Sequence, residues 1–350
     1  MKLFRWLLAL VAVLSAAAGY VVWELNRPYA AFSEETFIDF PKGTGTREMA
    51  RMLADAGVIP HAWEFLVVRA LRPRRALQAG EYRFDKPASI LDVYDRIARG
   101  DVFYYVLTIP EGQNMFDIAA AAEKLKLFPG SDFLREARDA SSIRDLDPAA
   151  PTLEGYLFPS TYHLIRHTTP ERLCQMMTTR FREAWKQVGA AANVHRSVTL
   201  ASLIEREAQV PMDRPLISSV FQNRLKIGMK LDCDPTTIYA ALLDGRYSGT
   251  IHKSDLASAN PYNTYRNRGL PPGPIANPGR ESLLAAVHPA DTQYLYFVLR
   301  PDGSGAHNFS ETISEHLIAT TQYRRASQRE QVEESAPKRE SNRKKSHSSN

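Results

Sequence analysis

Trp6 to Trp23 form a run of 18 apolar or small residues, with Lys2 and Arg5 before it and Glu24, Asn26 and Arg27 after it. A helix of that length is just able to cross a bilayer. Ser15 to Ala18 also read as a small-residue cleavage region, so a removable signal peptide competes with an uncleaved anchor. Tyr20, Val21, Val22 and Trp23 carry the run past that region and end it in interfacial aromatics, which favours the anchor. With Lys2 and Arg5 held inside, everything after residue 27 is expected outside the cytoplasm.

The 350 residues allow two domains plus tails. A net charge of +5 would ordinarily raise nucleic acid as a partner, but Arg324 to Asn350, with eight Lys/Arg and four Asp/Glu, supplies +4 of it. No nucleic acid is expected, and that tail, poor in apolar residues, is expected to lack structure. Cys174 and Cys233 have no CxxC partner and imply no disulfide scaffold or zinc ribbon; whether they pair is open.

Thr36 to Ile59 reads as strand, turn and helix: Phe37, Ile38 and Phe40, then Pro41 to Gly45, then the stripe Met49, Met52, Leu53 and Ala56 closed by Gly57. The pattern returns at Tyr105 to Leu127, and Gly80 to Gly100 supplies another strand and helix. Such short βα units cannot bury a core singly and are expected to pack as one α+β module. The first unit looks like a degenerate LysM fold, so a carbohydrate-binding module stands beside plain scaffold as a reading.

From about Asp132 longer helices and Pro-rich loops take over: Pro170 to Val188, Ser197 to Gln209, Leu216 to Leu225, a helix opened by Asp234-Pro235-Thr236-Thr237, and a strand at Tyr294 to Leu299. In Thr199 to Val210, Leu200, Leu203, Ile204 and Glu207 fall at i, i+3, i+4 and i+7, placing one carboxylate on the apolar stripe. Glu205 falls about 140° away and is expected in solvent. Desolvation would raise the pKa of Glu207 and suit it to general acid work. A structural pair with Arg224 is the competing role.

Downstream lie Asn223-Arg224, Asp234, the run Asn260-Pro261-Tyr262-Asn263-Thr264-Tyr265, and Gly269 to Ile275 with its prolines. The prolines suit a stiff wall along a long ligand, and Asn260, Tyr262, Asn263 and Tyr265 offer amides and flat faces for sugar rings. Packing for the loop's own stability is the rival reading. His252, His288 and His307 lie in the same region as Asp234 without a histidine at i+3 or i+4, and His163 and His167 enclose no Glu, so no metal site is expected. GxSxG elbows and phosphate-cradling glycine loops are absent, and no cofactor is implied.

The run 199–240, TLASLIEREAQVPMDRPLISSVFQNRLKIGMKLDCDPTTIYA, resembles the endolytic murein transglycosylase, or YceG-like, family. Glu154 to Pro159 (EGYLFP), Tyr262 to Tyr265, Gly269 to Ile275 and Ala286 to Pro289 extend the resemblance to roughly residues 36 to 320. The family's catalytic glutamate falls on Glu207. Ala208 and Gln209 depart from the Thr-Ala common after it, and the basic tail is extra.

The resemblance implies an α+β chain: a cytoplasmic stub and anchor (1–27), a LysM-like module (36–130), a catalytic domain (131–323) and a tail (324–350). It also implies a bacterial inner-membrane protein facing the periplasm, acting on peptidoglycan glycan strands, with peptidoglycan synthases as expected partners. Glu207 would protonate the glycosidic oxygen between MurNAc and GlcNAc and then deprotonate the MurNAc C6 hydroxyl, leaving a 1,6-anhydro end. Because the nucleophile lies within the substrate, one carboxylate suffices. Glu154, Asn223, Arg224, Asp234, Asn260, Tyr262, Asn263 and Tyr265 are the candidate substrate-binding residues. Two alternatives stay open: a water-using glycan hydrolase, with Glu154 or Asp234 as second carboxylate, and a non-catalytic peptidoglycan-binding scaffold.

Overall fold

A computed structural model describes residues 2–189 and 193–335. In chain order the elements are α1 (Lys2–Asn26), β1 (Thr36–Phe40), α2 (Thr46–Asp55), α3 (Ala62–Leu71), β2 (Gly80–Phe84), α4 (Ile90–Arg99), β3 (Tyr105–Ile109), α5 (Met115–Lys124) and α6 (Gly130–Ala137). There follow β4 (Ser160–Leu164), α7 (Pro170–Val188), α8 (Val194–Glu207), α9 (Arg214–Lys226), α10 (Asp234–Leu243), α11 (Lys253–Leu256), α12 (Arg280–Val287), β5 (Tyr296–Leu299), β6 (His307–Ser310) and α13 (Ile313–Ser335). The fold is mixed α+β, with three two-stranded sheets among the described residues. Two compact units divide the chain: 1–106 with 163–166, and 107–162 with 167–350.

In the first unit β1 and β2 pair antiparallel, with Ile38 opposite Tyr82 and Phe40 opposite Gly80, and α2 and α3 lie between them in sequence. Alternation along β1 buries Ile38 and Phe40 while leaving Asp39 exposed. These strands join Leu53, Phe65, Tyr94 and Ile97 in one core. Helix α4 starts at a capping box between Ser89 and Asp92 and stops at Gly100, whose φ of 73° suits a left-handed cap. Helix α1 is apolar and exposed from Phe4 to Trp23, then buries Leu25 in that core. Its 23 residues from Phe4 to Asn26 are long and apolar enough to cross a membrane.

The second unit is built around α8, on which every residue from Ser197 to Ile204 is buried. It packs against α9, α10 and α12. Helix α7 precedes it, capped by Thr169 with Pro170 in its first turn, and presents Leu173, Met177, Phe181 and Trp185 to the core, while Met176 on the same expected inner face is half-buried. Strands β5 and β6 pair antiparallel, and α13 packs on both.

Four expectations change. The pattern shift near Asp132 suggests a boundary at 130/131, whereas the chain divides at 106/107. Helix α5 repeats the strand-turn-helix pattern but packs on α6, so local similarity did not imply a shared core. Helix α3, with Phe65 and Val68 buried, stands where no element was expected. Finally, α13 runs through Arg324 to Ser335, because Ala, Gln, Arg and Glu propagate a helix already docked on a sheet. The remainder of the expected unstructured tail lies outside the described residues.

Candidate active site

Asn193 caps α8 by accepting from the Arg196 N–H at 2.9 Å, and Glu207 is the helix's last residue. Ala208 then turns into extended backbone. Two carboxylates thus end the helix, and their surroundings differ. Glu205 is not in solvent: its side chain is 5% exposed. It accepts from Arg214 Nη2 at 3.2 Å and from the Gly279 N–H at 2.8 Å. The stripe misplaces it because periodicity assumes a solvated helix face, and the end of α8 is covered on several sides.

Glu207 has no such cation. Its Oε1 is 3.1 Å from the Cys233 thiol, which donates, and it forms no salt bridge among the described residues. Burial pushes the carboxyl above the ordinary glutamate range, and Asp234 adds to this; the Cys233 hydrogen bond, Arg206 and Arg224 pull the other way. A position at the helix C-terminus also disfavours negative charge. The expected pair with Arg224 does not form: that guanidinium donates to the carbonyls of Leu295 at 2.6 Å and Leu231 at 2.8 Å.

Glu207 lines a cavity of about 390 Å³. Asp232, Asp234 and Arg224 bring charge to it, Tyr265, Tyr296 and Phe297 bring rings, and Ile313 and His316 come from α13. Tyr265 Oη donates to Asp234 Oδ1 at 2.6 Å, and the Tyr296 and His316 rings stack with centroids 5.2 Å apart. A concave site with one protonatable carboxyl, a fixed carboxylate and flat ring faces suits a sugar polymer.

Of the sequence candidates, Glu207, Arg224, Asp234 and Tyr265 meet in this cavity. The others are tied into the frame. Asn223 donates to the carbonyls of Thr292 and Tyr294 and lines a separate cavity of about 350 Å³. Asn263, fully buried, donates to the carbonyls of Leu256 and Ser258, and Asn260 caps the turn into Tyr262. The Tyr262 ring packs on Tyr239 at 5.2 Å. Glu154 is buried beneath the Met115 N–H at 2.9 Å and Asn277 Nδ2 at 2.8 Å, and burial pushes it up to about 8.

The proline loop is a buried strut instead of an open wall. Pro274 to Gly279 are all buried, and Ile275 N–H donates to Ser202 Oγ of α8 at 3.1 Å. Gly155 explains its residue type: with φ at +88°, an added Cβ would collide with Pro274.

A YceG-like family model matches residues 38–322. The chain belongs to the YceG-like family. Among relatives of this YceG-like chain, the endolytic murein transglycosylase of Bacillus subtilis (strain 168) is 34% identical over 307 residues, covering 82% of this chain and 84% of that protein. The endolytic murein transglycosylase of Streptococcus pneumoniae serotype 2 is 28% identical over 331 residues, and the match covers 83% of this chain but 60% of that protein. A 2.6 Å crystal structure of a YceG-like protein from Listeria monocytogenes superposes with a TM-score of 0.52 at 30% identity, covering 81% of this chain and 98% of that one.

Cys233, Asp232, Tyr296 and His316 were not read as site residues of the YceG-like chain. Cys233 and Asp232 sit beside the Asp-Pro that opens α10, a signal available in the sequence. Tyr296 and His316 are more than 80 residues beyond Glu207, and only the docking of β5 and α13 brings them to it.

Proposed function

We propose that the chain is a membrane-anchored endolytic lytic transglycosylase that cleaves the β-1,4 bond between MurNAc and GlcNAc in peptidoglycan. The observation that carries this is Glu207: a carboxyl held by a thiol, lacking a salt bridge among the described residues, its pKa raised by burial, facing a cavity with sugar-compatible rings. The names of the relatives agree with it.

Glu207 gives its proton to the glycosidic oxygen as the bond to MurNAc C1 breaks, freeing the GlcNAc hydroxyl. The MurNAc C6 oxygen bonds to C1, and its proton returns to Glu207. No water is consumed, and acid and base are one group at successive moments. Asp234, held by Tyr265, would support the positive charge that develops on the ring. Tyr265 and Tyr296 offer faces to flanking sugars.

Helix α1 would anchor the protein with the rest outside the cytoplasm, consistent with its exposed apolar surface. The strand-helix-helix-strand order of the first unit supports a LysM-like, glycan-holding module. Near newly made glycan, the enzyme would end strand elongation beside peptidoglycan synthases.

The test is to incubate the detergent-solubilised full chain, wild type and Glu207→Gln, with purified peptidoglycan and weigh the glycan ends by mass spectrometry. Anhydro-MurNAc ends from the wild type alone are expected. Reducing ends would assign the bond cleavage to water, with Asp234 as second carboxylate, and intact glycan from both proteins would leave a binding scaffold.

A further inference from the structure

Cys233 precedes α10 and is 2% exposed, and its Sγ lies 3.1 Å from Glu207 Oε1. Burial and the neighbouring Glu207 both push the thiol up, so it keeps its hydrogen and is the donor. Its backbone is clamped on both sides. The Cys233 N–H donates to Thr264 Oγ1 at 3.0 Å, and its carbonyl accepts from Thr236 Oγ1 at 2.6 Å. Asp232, just before it, takes a φ of 46°, a left-handed turn that Asp tolerates. The Cβ of Cys233 is therefore fixed with respect to Glu207, whose Oε2 makes no hydrogen bond among the described residues.

We propose that Cys233 is a positioning residue: its S–H holds Oε1 of Glu207 and leaves Oε2 as the oxygen that gives and takes the glycan's proton. This rests on the reading of Glu207 as acid and base. A thiol is a weak donor, so it orients the carboxyl while stabilising the anion less than a hydroxyl or guanidinium would. Arg206, Arg224, Asp232, Asp234, Tyr265 and His316 are the charged or titratable groups around Glu207, and none of them hydrogen-bonds to it among the described residues.

The test compares Cys233→Ala and Cys233→Ser in the full-length protein. Both lose the sulfur's volume, so their difference isolates the donor. Cys233→Ala is expected to lower kcat/KM about tenfold, and Cys233→Ser to remain within about threefold of wild type. The alkaline limb of the pH–rate profile should lie higher in Cys233→Ala than in Cys233→Ser, because the lost donor favoured the carboxylate. Independently of either variant, pH-difference infrared spectra of the wild type should show the S–H stretch shifting as Glu207 ionises, and Glu207→Gln should abolish that shift. Equal rates and equal limbs in two folded variants, or an S–H band indifferent to pH, would overturn the proposal. An active Glu207→Gln would overturn the catalytic reading and this one with it, whereas an inactive Glu207→Gln beside an unchanged Cys233→Ala would overturn the role of Cys233 alone.

Discussion

Arg214 Nη2 donates to Glu205 Oε1 at 3.2 Å, with the two side chains 14% and 5% exposed. Two residues further along the same helix, the Glu207 side chain hydrogen-bonds, among the described residues, to the Cys233 thiol alone. The YceG-like chain thus ends α8 with one carboxyl committed to structure and one left protonatable, and the two should respond oppositely to substitution.

Glu205→Ala is expected to destabilise the fold by about 2 kcal/mol, because it leaves the largely buried Arg214 guanidinium with only the more distant Glu111 carboxylate, at 3.8 Å, and removes the acceptor of the Gly279 N–H. Glu207→Gln should change stability by less than about 1 kcal/mol, since it removes no salt bridge among the described residues and burial already disfavours the charge it deletes, while activity falls by at least about a thousandfold. Urea unfolding followed by circular dichroism, paired with glycan-release rates, checks both. A Glu207→Gln variant less stable than Glu205→Ala would reverse the assignment.

The pH dependence of the rate follows from the direction of the Glu207 shift. Burial, with Asp234, raises its pKa, so the acid form persists above the usual glutamate range and activity declines only as pH passes the raised value. Asp234→Asn removes a negative neighbour that favours the proton. The alkaline limb of kcat/KM should therefore move to lower pH, and a limb that stays in place would show that Asp234 does not act on Glu207.

Glu154 makes a separate prediction about stability. Its pKa is raised to about 8 by burial, so between the unfolded value near 4.5 and 8 the folded protein holds a proton that the unfolded chain releases. Stability should fall by about 1.4 kcal/mol per pH unit from this group across that window and level off above it. Glu154→Gln is expected to be less stable at pH 5, because either the Met115 N–H or Asn277 Nδ2 then faces an amide NH₂, and to lose that slope. Thermal melts at intervals from pH 5 to 9 would show it, and parallel wild-type and variant curves would count against it.

Asn277 is the strut's key side chain. Its Oδ1 accepts from the Gly155 N–H at 2.8 Å and from the Leu157 N–H at 2.9 Å, and its Nδ2 donates to Glu154 and to the Gln113 carbonyl. Asn277→Ala should cost about 3 kcal/mol by leaving two buried N–H groups without an acceptor. Gly155→Ala should cost at least as much, through its left-handed φ and the collision with Pro274. A melting shift of less than a few degrees in either would mean that the strut is dispensable.

Periodicity and turn chemistry were enough to find α2, α4, α5 and α7, because each shows one face to water. Ser89 with Asp92, Asn114 with Asp117, and Thr169 with Pro170 are local signals that need no tertiary partner. The apolar run that became α1 belongs to the same kind of information. The helix α3 was missed because Val67, Val68 and the aromatics around them carry no helical preference, and its helix is held by the core that it joins.

Tertiary structure decided the rest. In α8, buried on nearly every side, spacing could not separate Glu205 from Glu207; only Arg214 and Cys233, arriving from other elements, gave the two carboxyls different fates. The same holds for Asn223 on α9 and for Asn263 and Glu154 in the loops: they have the chemistry of ligands, but their hydrogen-bonding capacity is spent on groups that the fold buries. Residue type determined what each group was able to do, and the neighbours brought by packing determined whether it stayed available to a substrate.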